Sequence, residues 1–231
     1  IMHWLWDDKN SSHIIQYTKP FLTNDFVVVR FDTTNTFWES DGNFEDATLT
    51  NYYEDLKDVI GWASHQYFYK EKFILLWHSL WAISSALYSQ EYSYKILSLI
   101  LISSPINYEL SASTYSHNVL QKWGDSGFLI ENWGDFVVKL KWGYMEDKKK
   151  YNLLKNPEKF TMPVLIISWE NDHVTPYNHQ KIFFDAIKSY KQIHIIKNWP
   201  HTFTSKKHFD EIKILLDEWI SNLKQNERYY T

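Results

Sequence analysis

The chain contains no cysteine, which removes disulfides, thiolate metal ligands and cysteine nucleophiles together. It has no excess of positive charge: 24 basic against 28 acidic residues leave −4. No field draws in phosphate, so a nucleic-acid partner is not expected. No uninterrupted apolar run reaches the roughly 18 residues that a membrane span needs. Ile1 to Asn10 lacks the basic, apolar, small-residue order of a secretory leader. The simplest home for such a chain is the reducing cytoplasm. Glycine is scarce as well, 6 of 231 residues, where average usage of about 7% would give roughly 16. Tryptophan, at 12, outnumbers it two to one.

What is present is an ordinary globular mixture, 44% hydrophobic and 23% charged, long enough for one large domain. Short β-rich runs alternate with amphipathic stretches. Phe26–Phe31 reads as a buried strand, and strands follow at Phe73–Trp77, Ile96–Ser103, Val164–Ser168 and Gln192–Lys197. Helical spacing is found over Leu49–Phe68, Ser79–Tyr88, Tyr177–Tyr190 and Lys207–Leu223. This alternation, with strands apolar on both faces, predicts an α/β fold: a mostly parallel sheet with helices on both sides. A single domain is expected, with a core of 1–104 and 163–225. The rhythm breaks between Pro105 and Pro163, where the chain reads as helical, polar and aromatic. Residues 105–162 are therefore expected to form an insertion over the C-terminal edge of the sheet, where open α/β sheets bind ligands. A helical pair that merely packs on the sheet is the alternative.

Candidate chemistry sits at three strand ends. Ser79 lies at a strand-to-helix junction in Leu76-Trp77-His78-Ser79-Leu80-Trp81. A serine on such a turn projects its hydroxyl beside the N–H groups that open the helix, which suits a nucleophile with an oxyanion site. A serine in that position also serves as an ordinary helix N-cap. Asp172 follows the Val164–Ser168 strand, and His201 follows the Gln192–Lys197 strand. The chain order Ser, Asp, His is that of nucleophile-elbow hydrolases. In this arrangement His201 takes the serine proton, and Asp172 fixes the imidazole tautomer and stabilises its charged form.

On these residues the sequence resembles the α/β-hydrolase superfamily, in its cinnamoyl/feruloyl-esterase and monoglyceride-lipase-like branch, which also holds S33-type serine aminopeptidases. The family's Gly-His-Ser-x-Gly elbow corresponds to Trp77-His78-Ser79-Leu80-Trp81, and its Gly-x-x-Asp to Trp169-Glu170-Asn171-Asp172. Its His-Gly oxyanion motif corresponds to His3-Trp4-Leu5, and its Arg-Phe-Asp…Gly-Glu-Ser-x-Gly loop to Arg30-Phe31-Asp32 with Trp38 to Gly42. The resemblance spans essentially the whole chain. It implies a Ser79–Asp172–His201 triad, an oxyanion hole made by the backbone N–H groups of Leu5 and Leu80, and a variable lid over 105–162. It implies no cofactor and no metal. It also places the family's first two strands and most of the third upstream of Ile1, so a sheet with its first strands missing is expected.

The sequence departs from the family where the glycine shortage is concentrated. Trp4, Trp6, Trp38, Trp77, Trp81, Trp169 and Trp199 fall at or beside positions where the family commonly has glycine. An indole at Trp77 or Trp81 is expected to clash with the neighbouring strand and helix, because the elbow needs close backbone approach. Codon UGA means tryptophan in some genetic codes and glycine in others, so one reading is that these seven residues are glycine in the natural protein. The other keeps tryptophan and a degraded site.

Two functions follow. The first is a serine hydrolase that cleaves small to medium acyl or aryl esters, including feruloyl or cinnamoyl esters, as a monomer or homodimer with a small-molecule ester substrate. The second is an inactive hydrolase-fold binding protein. Ten histidines show no metal-ligand spacing. His78 reads as structural, Asp32 and Glu39 as parts of a supporting loop, and Lys148-Lys149-Lys150 as a solvated basic run.

Overall fold

The computed structural model describes residues 8–37, 39–133, 136–197 and 206–226. Its centre is a four-stranded parallel sheet: β1 (Phe73–His78), β2 (Ile96–Ile102), β5 (Val164–Trp169) and β6 (Lys191–Ile196), adjacent in that order. The register is continuous across the middle, with His78 opposite Ile102 and Ile102 opposite Ile167. β2 and β5 are buried at every position. That is why they read as unbroken apolar runs, since neither face meets water.

Alternate residues of these strands feed two cores. On one face Leu75, Leu99, Leu101, Val164 and Ile166 pack with α2 (Leu49–Ala63), α3 (Ala82–Glu91) and α7 (Tyr177–Ala186). On the other, Leu76, Ile100, Ile102, Leu165 and Ile167 pack with α1 (Ser12–Leu22) and α8 (Lys206–Gln225). Helix α2 begins where Thr48 accepts the backbone N–H of Asn51, an N-cap that satisfies one of the orphan donors of the first turn. Helix α8 anchors across the sheet through the Trp219 indole N–H, which donates to Ser98 Oγ at 2.9 Å.

Three expectations need correction. Phe26–Phe31 is not a buried strand. It has no ladder partner among the described residues, it is only half covered, and Val27 is 61% exposed. Its β-forming residues lie alongside β1 but are separated from it by a groove. The segment between β2 and β5 is not wholly helical. After α4 (Tyr108–Ala112) and α5 (His117–Ser126), it turns at Gly127, whose φ of +79° closes α5 with the left-handed residue that glycine adopts without strain. An antiparallel hairpin follows, β3 (Phe128–Trp133) and β4 (Phe136–Lys141), and then α6 (Gly143–Lys148). Its Val138, Leu140, Trp123 and Tyr144 join the core of the α2 face. Finally, Lys148 is not solvated: it is 5% exposed.

One carboxylate ties the insertion to the start of α2, and Gln90 on α3 donates to the Leu153 and Asn156 carbonyls as well. Asp147 on α6 accepts the Thr50 backbone N–H (2.8 Å) and the Thr50 hydroxyl (2.6 Å) at the start of α2. The hydroxyls of Thr50 and Tyr151 also meet at 2.6 Å.

Candidate active site

The C-terminal edge of the sheet gathers Ser79 after β1, Ser103 and Ser104 after β2, and Asp172 after β5. Ser79 directly follows β1 and opens a single 3-10 turn (Ser79–Trp81) that runs directly into α3. Its φ is +59°, a left-handed conformation that costs a non-glycine residue roughly 1–2 kcal/mol. The strained turn lifts the serine out of the line of the strand. It also places the Leu80 N–H at the opening of a helical segment, where backbone donors have no helical partner. Ser79 is buried, at 3% exposure.

Asp172 is held by its own loop. Its Oδ1 accepts the backbone N–H groups of Val174 (2.9 Å) and Thr175 (2.8 Å), and its Oδ2 accepts the Thr175 hydroxyl (2.8 Å). Three donors fix the carboxylate in one orientation and suit it to remain an acceptor. β1 and β5 are two strand spacings apart, about 10 Å, with β2 between them. His201 and Leu5 lie outside the described residues, as do Trp4, Trp6, Trp38 and Trp199.

One residue near the acid carries no signal in the sequence pattern. His179, in the first turn of α7, is buried and electrostatically coupled to Asp172. Burial pushes its pKa below the usual histidine range, and the Asp172 charge opposes that shift. Only the position of α7 against β5 brings it there. His78 sits on the opposite face of the sheet from the turn's helix, fully buried among His13, Tyr17 and Trp169, with ring centroids 5.8–6.4 Å away. Lys9 bridges the supporting loop: its Nζ reaches Asp32 and lies 3.0 Å from Glu39, and its backbone N–H donates to Asp32 at 2.7 Å.

The clash expected at the elbow is absent at Trp77. This indole is fully buried on the α2 face, with its ring 6.2 Å from that of Phe31. Trp77 is also one of the residues that line the cavity beside β1. Trp169 is likewise fully buried, on the α1 and α8 face.

A doubly covered parallel sheet with a serine in left-handed conformation at a strand–helix turn, and an acid loop two strands away, has the architecture of the α/β-hydrolase fold. Solved structures agree over nearly the whole chain. The chain is similar to Est1E from Butyrivibrio proteoclasticus, solved with ferulic acid bound, at 20% identity; the match covers 97% of this chain and 88% of that one with a TM-score of 0.83. It is similar to mouse alpha/beta hydrolase domain-containing protein 10 at 18% identity, covering 96% and 88%, TM-score 0.79. It is similar to a monoacylglycerol lipase from Paleococcus ferrophilus at 15% identity, covering 96% and 93%, TM-score 0.74. No family model and no curated protein matches the sequence. The protein thus has the α/β-hydrolase fold, and the likeness is one of fold.

Proposed function

We propose that the protein is a serine hydrolase that cleaves carboxylic esters through an acyl-enzyme on Ser79. The observation that carries this reading is the left-handed φ of Ser79 at the C-terminal edge of the sheet. A strained non-glycine residue persists where the surrounding structure over-determines it, and such residues gather at active sites. In the proposed reaction Ser79 Oγ attacks the ester carbonyl carbon as His201 accepts its proton. The backbone N–H groups of Leu5 and Leu80 receive the developing oxyanion. Collapse of the tetrahedral intermediate breaks the bond to the alcohol oxygen, which takes the proton from His201. Water, deprotonated by the same imidazole, then releases the acid and restores Ser79. Asp172, held by Val174 and Thr175, orients the imidazole throughout.

For the substrate we propose small to medium acyl or aryl esters, feruloyl and cinnamoyl esters among them. Support comes from the aromatic insertion between β2 and β5, where Trp123 packs against Tyr115, Trp142 and Tyr144, and from ferulic acid in Est1E. The insertion would act as the lid. The test is hydrolysis of p-nitrophenyl acetate and of methyl ferulate by the protein and by Ser79→Ala. Ser79-dependent turnover supports the reading, and turnover that survives Ser79→Ala overturns it. The second reading is a binding protein without turnover, which genuine tryptophan at positions 4, 77 and 81 of the elbow and oxyanion turn would impose. A folded protein that binds ferulate but never releases p-nitrophenol would establish it.

A further inference from the structure

Behind the C-terminal edge of the sheet, three buried polar atoms have no hydrogen-bond partner among the described residues: Ser103 Oγ, Ser168 Oγ and Gln180 Oε1. All three residues are fully buried, and buried polar groups of folded proteins pair with protein or with ordered water. We propose that these three side chains bind one internal water molecule, and that through it they position the Asp172 loop against the Ser79 turn. The positioning half rests on the esterase reading; the water half does not.

Three observations lead there. First, the groups stand together. Ile102 is opposite Ile167 in the ladder, so Ser103 and Ser168 are the next pair, and the Ser103 N–H donates to the Ile167 carbonyl at 2.8 Å. Ser168 lies between Ile167 and Trp169, which both pack on the α1 and α8 face. Strand alternation therefore turns Ser168 to the α7 face. Gln180 comes from α7 itself, and its Nε2 donates to the Ser104 carbonyl at 2.6 Å. That bond fixes the Gln180 amide beside the Ser103–Ser104 peptide.

Second, the chemistry of the trio suits water. Each serine hydroxyl can donate or accept, and the amide oxygen accepts. A water molecule among them meets two or three partners, as internal waters commonly do, and the trio carries no charge that calls for an ion. Third, the backbone there is strained. Ser103 has a φ of +50° and stands beside Ser79, at +59°, because His78 and Ile102 are opposite each other. A left-handed serine persists where its surroundings over-determine it. The Ser103 N–H is anchored to β5, and a water bridge from its hydroxyl to β5 and α7 gives the second anchor. Ser168 stands just before the acid loop and Gln180 just after it. The water therefore ties both ends of the loop to the turn beside the elbow. Ser103 and Ser168 are positioning residues in this scheme and touch no substrate.

The first measurement is a crystal structure of the unmodified chain. It is expected to show an ordered water within hydrogen-bonding distance of at least two of the three atoms. Density without such a water, or side chains bonded directly to one another, overturns the proposal. Urea unfolding reads the same site independently. A water-bonded hydroxyl stabilises, so Ser103→Ala and Ser168→Ala should each lower the midpoint. A buried hydroxyl with no partner destabilises, so midpoints that rise in both variants overturn the proposal. For the positioning half, Ser168→Ala should lose at least ~10-fold in kcat on p-nitrophenyl acetate with KM unchanged. Ser168→Thr, which keeps the hydroxyl, should retain kcat. An unchanged kcat in Ser168→Ala overturns the positioning role. If the unmodified chain turns over no ester, the esterase reading fails and the positioning role with it, while the density and the midpoints still decide the water.

Discussion

The two flanks of β1 are close in composition and opposite in structure. On one side Ile96–Ile102 is a fully buried, laddered strand. On the other, Phe26–Phe31 has the same β-branched and aromatic character yet forms no ladder with another described strand and leaves Val27 at the surface. β-propensity describes how well a side chain suits a pleated, half-buried surface. It does not supply the neighbouring strand that makes the surface. On this flank the Trp77 indole is fully buried and packs near Phe31.

Substitutions can break this comparison at several points. The largest effect is expected at the elbow: Ser79→Ala should lower esterase kcat by roughly 10⁴-fold or more with an unchanged urea midpoint, and titration with a fluorophosphonate probe should lose its label. Next comes the laddered flank. Leu101→Ala removes a fully buried side chain and should cost about 2–5 kcal/mol in urea unfolding. Val28→Ala on the unladdered flank should cost less than about 1 kcal/mol, and a larger cost there would show that the flank is packed after all. Trp77→Gly should destabilise by about 3–5 kcal/mol if tryptophan is the native residue. If instead the double variant Trp77→Gly, Trp81→Gly is more stable and more active than the chain as written, glycine is native at the elbow, and UGA codons should be found at both positions in the gene.

An effect confined to one pH window concerns Lys148. Its amine lies 4.7 Å above the Tyr144 ring with no carboxylate paired to it among the described residues, and burial pushes its pKa from 10.5 down to about 7. Between those values the unfolded chain holds a proton that the folded chain does not, so this group makes stability rise with pH across the window. Below about pH 7 both states are charged and the folded one carries the full burial cost. Lys148→Met should flatten the rise and stabilise the protein by on the order of 2 kcal/mol near pH 6, measured by urea unfolding at pH 6, 8 and 10.

Much of this architecture is written in local pattern. The strands at Phe73, Ile96, Val164 and Lys191 lie within a residue or two of where apolar runs place them, because buried parallel strands have no other composition available. Ser79 was visible from its junction, and Asp172 from its place after β5. Three features were not legible. The hairpin at Phe128–Lys141 mixes lysines and a glutamate with its apolar residues, and it takes its shape by laying Val138 and Leu140 on the core. Helix α1 carries Pro20 within its last turn, a residue that argues against helix when read locally. Burial of Lys148 depends on how α6 docks against α2 through Asp147 and Thr50, a contact 97 residues long in sequence that no local window contains.

The left-handed serine has a consequence for how such a chain can change. Ser79 occupies a backbone conformation that glycine would adopt at almost no cost. Selection for foldability alone would therefore drift this position toward glycine and gain about 1 kcal/mol. In a lineage that still uses the hydroxyl, that drift is closed. In one that has lost the need for it, the elbow is where replacement should come early, so the residue at position 79 across descendants would record whether the chemistry was kept.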